Sequence, residues 1–393
     1  MSVEEVCILD KICLDQLISI RRDLHCHAEL GFNLPYTRNI VISFLKKHQI
    51  ACEEFSGGVV GVLGTNGPLV MVRADMDALP MKELSGLSFS SAGNIAHCCG
   101  HDIHTTVLLG TLASLKDMDI LKKVRVLFVF QPDEEGGTGA KTLVEKGLFK
   151  KFGLPEYLLA LHVDAKEPLG KLNYGAGKTF AGTDSLDIEV HGKGGHGARA
   201  FETKDPIFTL MCIYNELNMA ISRKFNVFEH NILSVTSLQA GNTYNIIPDN
   251  ARLLGTIRTY SNEERNRVLE TVEKIACSIG NGLDTQVTVK FLNSVYPVVT
   301  DAELTAGLIA HMQSKKIFTS ISDTPTIKIG GEDYAFYADK IKKNSYVFIG
   351  AGTNENEGYP VGQHNPHVVF NEKAIAFGVS YFLEALQYLS DQQ

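Results

Sequence analysis

Between Ala96 and His104 the chain reads Ala-His-Cys-Cys-Gly-His-Asp-Ile-His, so nine residues hold three imidazoles, two thiols and a carboxylate. Cysteine thiolate and neutral imidazole are ligands of zinc-like cations. The glycine between Cys99 and His101 lets both reach one ion from a sharp turn. Further on, Glu134 and Glu135 stand side by side. Neighbouring residues point in different directions, so one carboxylate can ligate a cation while the other faces the reacting centre. His162 and His364 are the remaining candidates. Taken singly, each has a plain alternative: a solvated acidic turn, or a histidine satisfied by its own neighbours. Together Cys99, His101, Glu135, His162 and His364 make five potential ligands. That exceeds the four of a structural zinc and suits a two-metal hydrolytic site.

Such residues need rigid elements beneath them. Val59–Leu63 and Leu69–Val72 are short β-branched runs, and Val124–Phe130 is an almost wholly apolar one. Apolar strands of that kind belong to a parallel sheet covered on both faces. The second run leads to Asp75 and Asp77, the third to Glu134-Glu135, and Tyr157–Leu161 leads to His162. Functional groups of open α/β sheets gather at the carboxyl ends of strands, so three such ends predict one convergent site. Helices are predicted over 11–29, 37–47, 104–116 and 139–149, and later over 301–315, after Gly330-Gly331-Glu332-Asp333, and over 372–389. Strands are expected at Thr326–Ile329 and Tyr346–Ile349.

From about 183 the pattern changes to strand 185–190, helix 205–222, strands 231–239 and 246–258, helix 262–279 and strand 285–291. That order is the βαββαβ of a ferredoxin-like unit. The expected architecture is therefore α/β. A discontinuous catalytic domain with a mostly parallel sheet spans 1–182 and 297–393, and an inserted ferredoxin-like domain spans 183–296.

Composition bounds the rest. With 393 residues the chain can hold two cores, and 44% hydrophobic and 21% charged residues are ordinary for a globular protein. A formal net charge of −8 argues against nucleic acid as a partner. No apolar run is long enough to span a membrane, and the acidic start Met-Ser-Val-Glu-Glu is unlike a signal peptide. Eight scattered cysteines make no disulfide framework, which predicts a reducing, cytoplasmic setting. Gly175-Ala176-Gly177-Lys178-Thr179 imitates the end of a phosphate loop, but Leu172 stands where its first glycine belongs. No Gly-x-Ser-x-Gly elbow is present.

The ordered motifs resemble those of the metal-dependent amidohydrolases that include hippurate hydrolase, N-acetyl-diaminopimelate deacetylase and the plant auxin–amino-acid conjugate hydrolases. These are relatives of the aminoacylases and glutamate-releasing carboxypeptidases. The resemblance rests on Arg21-Arg22-Asp23-Leu24-His25, Arg73 to Pro80, Cys99-Gly100-His101-Asp102 and Gln131 to Gly137. It continues through Gly194 to Ala198, Asn245 to Asp249, Gly330-Gly331-Glu332-Asp333 and His364-Asn365-Pro366. It implies two divalent metal ions (zinc, manganese, nickel or cobalt) on Cys99, His101, Glu135, His162 and His364, with Glu134 as general base and acid. It also implies substrate contacts from His196, Asn245 and Arg258, often reaching across a homodimer formed through the inserted domain. Asp77 and Asp102 are expected to orient ligating imidazoles. The implied substrate is a small N-acyl amino acid. Two departures stand out: Ala200-Phe201 replaces a usual Pro-His pair, and Cys98 stands where alanine is common.

Other readings are a dipeptidase on the same scaffold, a metal-binding regulatory protein without catalysis, and a nucleophilic hydrolase using Cys98 or Cys99. An intact Glu134 and complete ligand set argue against the regulatory reading. A thiol mechanism should survive chelation.

Overall fold

Continuous apolar runs in the first part of the chain pair as a buried, mostly parallel sheet. The computed structural model describes residues 13–322, 328–353 and 361–392. Among these, residues up to Gly177, 300–322 and those from Phe336 onward form one compact unit, while Lys178–Val299 and 328–335 form another.

The first unit holds an eight-stranded sheet. Its order is Glu53–Phe55, Gly58–Leu63, Arg125–Gln131, Leu69–Asp75, Tyr157–Asp164, Lys343–Gly350, Lys171–Tyr174 and Ser320–Ser322. The four central strands, Arg125–Gln131 to Lys343–Gly350, run parallel, with antiparallel neighbours on either side. Every residue of Leu69–Asp75 is buried, and all but the first of Arg125–Gln131. Strands buried on both faces need no polar alternation, hence their unbroken apolar sequence. Register aligns their ends: Asp75 lies opposite Gln131, and Arg73 opposite Ala160. The chain therefore leaves three neighbouring strands at one level, where Asp77, Glu134, Glu135 and His162 are found.

Helix His101–Leu115 is buried along all fifteen residues. A helix buried all round belongs inside a core, and this one contacts helices Leu14–Cys26 and Ala374–Asp391. Gly110 permits their close approach, since a Cβ there would meet Leu17 Cδ1 at 2.8 Å and Val379 Cγ2 at 2.9 Å. The helix starts at Gly100, whose φ of 100° is a left-handed conformation that glycine adopts without strain.

In the second unit the βαββαβ order is found as expected: Gly182–His191, Pro206–Lys224, Ile232–Ala240, Asn250–Thr259, Asn262–Gly282 and Gln286–Val295. The sheet is antiparallel, with Ile232–Ala240 at one edge and Gln286–Val295 at the other. Local chemistry starts its helices. Asp205 accepts from the N–H groups of Ile207 and Phe208, with Pro206 at the first position. Ser261 accepts from Glu264 N–H.

Apart from the first, the helices begin and end within a few residues of the expected bounds, with 139–149 divided into Gly139–Glu145 and Leu148–Phe152. Three further details differ from the sequence reading. The first helix ends at Cys26 rather than 29, because Gly31 (φ 56°) and the Leu30–Asn33 bridge turn the chain. Of the expected strand Thr326–Ile329, Thr326 and Ile327 lie outside the described residues. Lys328 forms a bridge to Phe180 and exchanges backbone bonds with Thr179 and Ala181. Those bonds tie 328–335, including Gly330-Gly331-Glu332-Asp333, to the second unit rather than the first.

Candidate active site

The turn at Gly100 sends Cys99 and His101 to the end of the sheet, where they meet His162. Cys99 Sγ lies 3.4 Å from His162 Nε2. Glu135 Oε1 is 3.9 Å from His101 Nε2 and 3.3 Å from His364 Nε2. Glu134 Oε2 is 3.8 Å from His101 Nε2. Three overlapping groups result: Cys99–His101–His162, Cys99–Glu135–His364 and His101–Glu134–Glu135. Within each, the donor atoms lie within 4.8 Å of one another. The six residues picked out as ligands and proton shuttle therefore come together. A further group, Asp75–His101–His104, uses a histidine whose nitrogens are both engaged, Nδ1 with Asp75 and Nε2 with Val163 N–H.

Asp77 works in two ways. Its backbone carbonyl accepts from His101 Nδ1 at 2.9 Å and its Oδ1 lies 3.5 Å from the same nitrogen, so in the neutral ring Nε2 carries the lone pair. Its carboxylate accepts from the N–H groups of Glu134 at 3.0 Å and Glu135 at 3.1 Å. Main chain and side chain together thus orient the imidazole, and the side chain also fixes the acidic pair.

Asp102 does not orient a candidate ligand. Its Oδ2 sits 2.7 Å from Arg21 Nε and 2.8 Å from His25 Nδ1, and His25 Nε2 is 3.0 Å from Glu83. All four residues are buried. Burial would raise Asp102, but Arg21 and His25 hold its carboxyl far below the usual range. Burial likewise opposes charge on His25, yet Asp102 and Glu83 keep its pKa raised. Removing one member would strand a buried charge, a loss of about 3–5 kcal/mol. Arg21, His25, Glu83, Asp75 and His104 acquired no role from sequence. Asp75 carried a signal, because it shares strand parity with Asp77. Glu83 carried none, since its loop has no periodicity.

The donor set fits a cation. His101 Nε2 is buried and has no hydrogen-bond partner among the described residues. It stands 3.8–3.9 Å from Asp75, Glu134 and Glu135 oxygens. Ligands each ~2.0–2.3 Å from an ion are spaced in this way, further apart than hydrogen-bonded groups. The field is also negative. Burial disfavours a charged His101, but Asp75 and Cys99 outweigh it and hold the pKa well above normal. His364 is pushed up to about 10 by its bonds to Cys99 and Glu135. His162, by contrast, is lowered by burial and by His104, and so is a neutral imidazole. Burial raises Cys98 to about 12, which makes it an unreactive thiol.

On the second unit, His196 lies in a two-stranded ribbon, Gly195–His196 with Ile246–Ile247, Asn245 immediately precedes the second strand, and both are exposed. Ala198 N–H donates to His196 Nδ1 at 3.1 Å, so in the neutral ring the proton is on Nε2. Arg258 lies on a different strand, opposite Ile232. It bonds Thr256 Oγ1 and Ile257 O and forms no ion pair among the described residues. Phe201, at the departure from the Pro-His pattern, is 84% exposed.

Known proteins resemble the chain along nearly its whole length. The chain is 32% identical over 382 residues to the N-acetylcysteine deacetylase of Bacillus subtilis, with 95% of this chain and 97% of that one covered. It is 34% identical over 383 residues to the hippurate hydrolase of Campylobacter jejuni, with 94% and 96% covered. Among solved structures, the YXEP protein of Bacillus subtilis, a dinuclear metal binding peptidase, superposes with a TM-score of 0.79 at 29% identity. That match covers 95% of this chain and 97% of the other. Residues 71–388 match the profile of Peptidase family M20/M25/M40, a span that includes every proposed ligand, and the chain belongs to that family.

Proposed function

We propose that the protein is a metal-dependent amidohydrolase that cleaves N-acyl amino acids, with Cys99, His101, Glu135, His162 and His364 as metal ligands. The observation that carries this reading is the convergence of those five donors, with Glu134 beside them, at the ends of adjacent parallel strands. The deacetylase and hippurate hydrolase relatives support the substrate class. Two bound divalent cations (zinc, manganese, nickel or cobalt) would acidify water and polarise the amide carbonyl.

This chain's residues supply the remainder. Glu134, fixed through its own N–H by Asp77, takes the proton of the attacking water. It then passes that proton to the departing nitrogen, because an amine anion is too basic to leave unprotonated. His196 Nε2–H is the donor for the developing oxyanion, and Asn245 adds a substrate contact. Arg258 offers a planar fork for the substrate carboxylate.

Homodimerisation through the second unit is part of the proposal. Helix Pro206–Lys224 exposes Phe208, Met211 and Met219, and Ile232–Ala240 is an edge strand. Light scattering of the purified protein tests it. A cytoplasmic location is supported by seven described cysteines that are all free thiols. No helix among the described residues is long and apolar enough to cross a membrane.

The deciding experiment assays metal-reconstituted protein on N-acetyl, N-benzoyl and longer N-acyl amino acids beside dipeptides. Hydrolysis of at least one N-acyl amino acid, abolished by chelator and restored by metal, is expected. Metal-loaded protein that cleaves dipeptides alone would replace this reading with a dipeptidase. Cleavage that persists after chelation would replace it with a thiol mechanism. Arg258→Lys should raise KM for carboxylate-bearing substrates and leave metal content unchanged.

A further inference from the structure

Three of the ligand-bearing segments meet at the backbone of one buried residue, Val163. Its N–H donates to His104 Nε2 at 2.9 Å. Its carbonyl accepts from His162 Nδ1 at 2.7 Å and from Gln363 Nε2 at 2.6 Å, so both lone-pair directions are in use. Its side chain abuts the Cys99–His101 turn, because a Cβ on Gly100 would lie 2.5 Å from Val163 Cγ2. His104 is itself anchored: Nδ1 donates to Asp75 Oδ1 at 2.7 Å, and Asp75 Oδ2 pairs with Arg73 at 2.7 Å.

These bonds fix chemistry as well as position. A peptide N–H can only donate, so His104 Nε2 must carry a lone pair and Nδ1 the proton. Both nitrogens of His104 are then spent, and the residue cannot be a ligand. A peptide carbonyl can only accept, so His162 carries its proton on Nδ1 and presents the Nε2 lone pair beside Cys99 Sγ. Gln363 precedes His364, whose own N–H donates to Cys98 O at 2.9 Å. The loop bearing His364 is thereby held at the same residue and at the neighbour of Cys99. The rings of His104 and His162 meet edge to face at 4.5 Å, which leaves His162 little rotational freedom.

We propose that His104 and Gln363 are positioning residues that hold the Val163 backbone, one at its N–H and the other at its carbonyl, and so aim His162, and the loop of His364, at the cation held with Cys99. This rests on the ligand assignment above and not on any substrate. Outer partners of this kind typically change metal affinity by about 10–100-fold.

Cobalt(II) titration of metal-free protein tests it, with thiolate-to-cobalt absorption reporting the ion bound to Cys99. Gln363→Leu removes one N–H donor to the Val163 carbonyl at a half-buried loop position. His104→Asn keeps a donor for Asp75 but has no acceptor that reaches Val163 N–H, and His104→Gln restores the reach. Gln363→Leu and His104→Asn should weaken the thiolate-bound equivalent about 10–100-fold and alter its band. The second equivalent should stay within about threefold, and the unfolding temperature of metal-free Gln363→Leu should be unchanged. His104→Gln should recover part of the loss. If His104→Asn does not fold, Gln363→Leu decides alone. Wild-type affinity and spectrum in Gln363→Leu would overturn the proposal. So would an equal loss of both equivalents with a destabilised metal-free protein, which marks a purely structural role. The readout uses no substrate, so a protein that binds two ions but cleaves no amide refutes the function and leaves this assignment standing.

Discussion

Replacing Asp77 by Asn changes two atoms' worth of chemistry and should strike catalysis before metal binding. The Asp77 side chain is buried, and its two oxygens receive the N–H groups of Glu134 and Glu135. Hydrogen bonds to a charged group contribute about 1.5–3 kcal/mol each. Asparagine keeps one oxygen, now neutral, and turns an NH₂ towards the other N–H, which is left unsatisfied. The expected loss is about 2–4 kcal/mol in the placement of the acidic pair. At about 1.4 kcal/mol per tenfold, full expression in the transition state lowers kcat/KM roughly 30- to 1,000-fold. His101 Nδ1 is held at 2.9 Å by the Asp77 backbone carbonyl, which the substitution leaves in place, and the side-chain oxygen is farther off at 3.5 Å, so metal should remain largely bound. Steady-state kinetics on an N-acyl amino acid, with elemental analysis of the same preparation, separate the two effects. Activity within threefold of wild type would refute the reasoning. A loss of both ions equal to the loss of rate would show that Asp77 serves the metals directly.

Gly100→Ala should destabilise the metal-free protein by about 2–5 kcal/mol, adding left-handed backbone strain to a Cβ contact at 2.5 Å with Val163. Chemical denaturation reads this, and a change under about 0.5 kcal/mol would contradict the turn geometry. Cys99→Ser should abolish the thiolate-to-cobalt band and weaken metal binding, because a neutral hydroxyl replaces a thiolate. Retention of full metal content would remove Cys99 from the ligands. Metal affinity should rise with pH. Burial raises Cys99, charged neighbours raise His101, and bonds to Cys99 and Glu135 hold His364 near about 10, so protons occupy the donors at neutrality and must leave when an ion binds. Titrations at several pH values check the sign, and an affinity that falls as pH rises would be incompatible with it.

The candidate site was legible where chain-local chemistry determines it. Strands such as Leu69–Asp75 and Arg125–Gln131 are buried on both faces, so they advertise themselves as unbroken apolar runs, and polar residues just beyond them stand out. The βαββαβ order was equally plain, because Asp205 and Ser261 cap its helices and the strands are β-branched. Long-range pairings were not legible. Asp102 follows a ligand in sequence and was expected to serve an imidazole of the site, yet it pairs with Arg21 and His25. Nothing local reveals a partner some 80 residues away. Asp77 was expected to hold an imidazole with its carboxylate. That carboxylate does lie 3.5 Å from His101 Nδ1, but it also accepts from two backbone N–H groups, which one-letter sequence does not display. The domain boundary missed 328–335 for a related reason: backbone bonds from Lys328 to Thr179 and Ala181, without side-chain chemistry, assign that segment.

The central claim is that adjacent carboxylates divide the work, Glu135 on the metals and Glu134 on the proton. The most direct measurement compares Glu134→Gln and Glu135→Gln for metal content and kcat in parallel. Glu134→Gln should keep both ions while kcat falls by about 10²–10⁴. Glu135→Gln should lose metal first, with activity recovering only as metal is added in excess. Equal metal loss in both variants, or near-normal turnover in Glu134→Gln, would contradict the account.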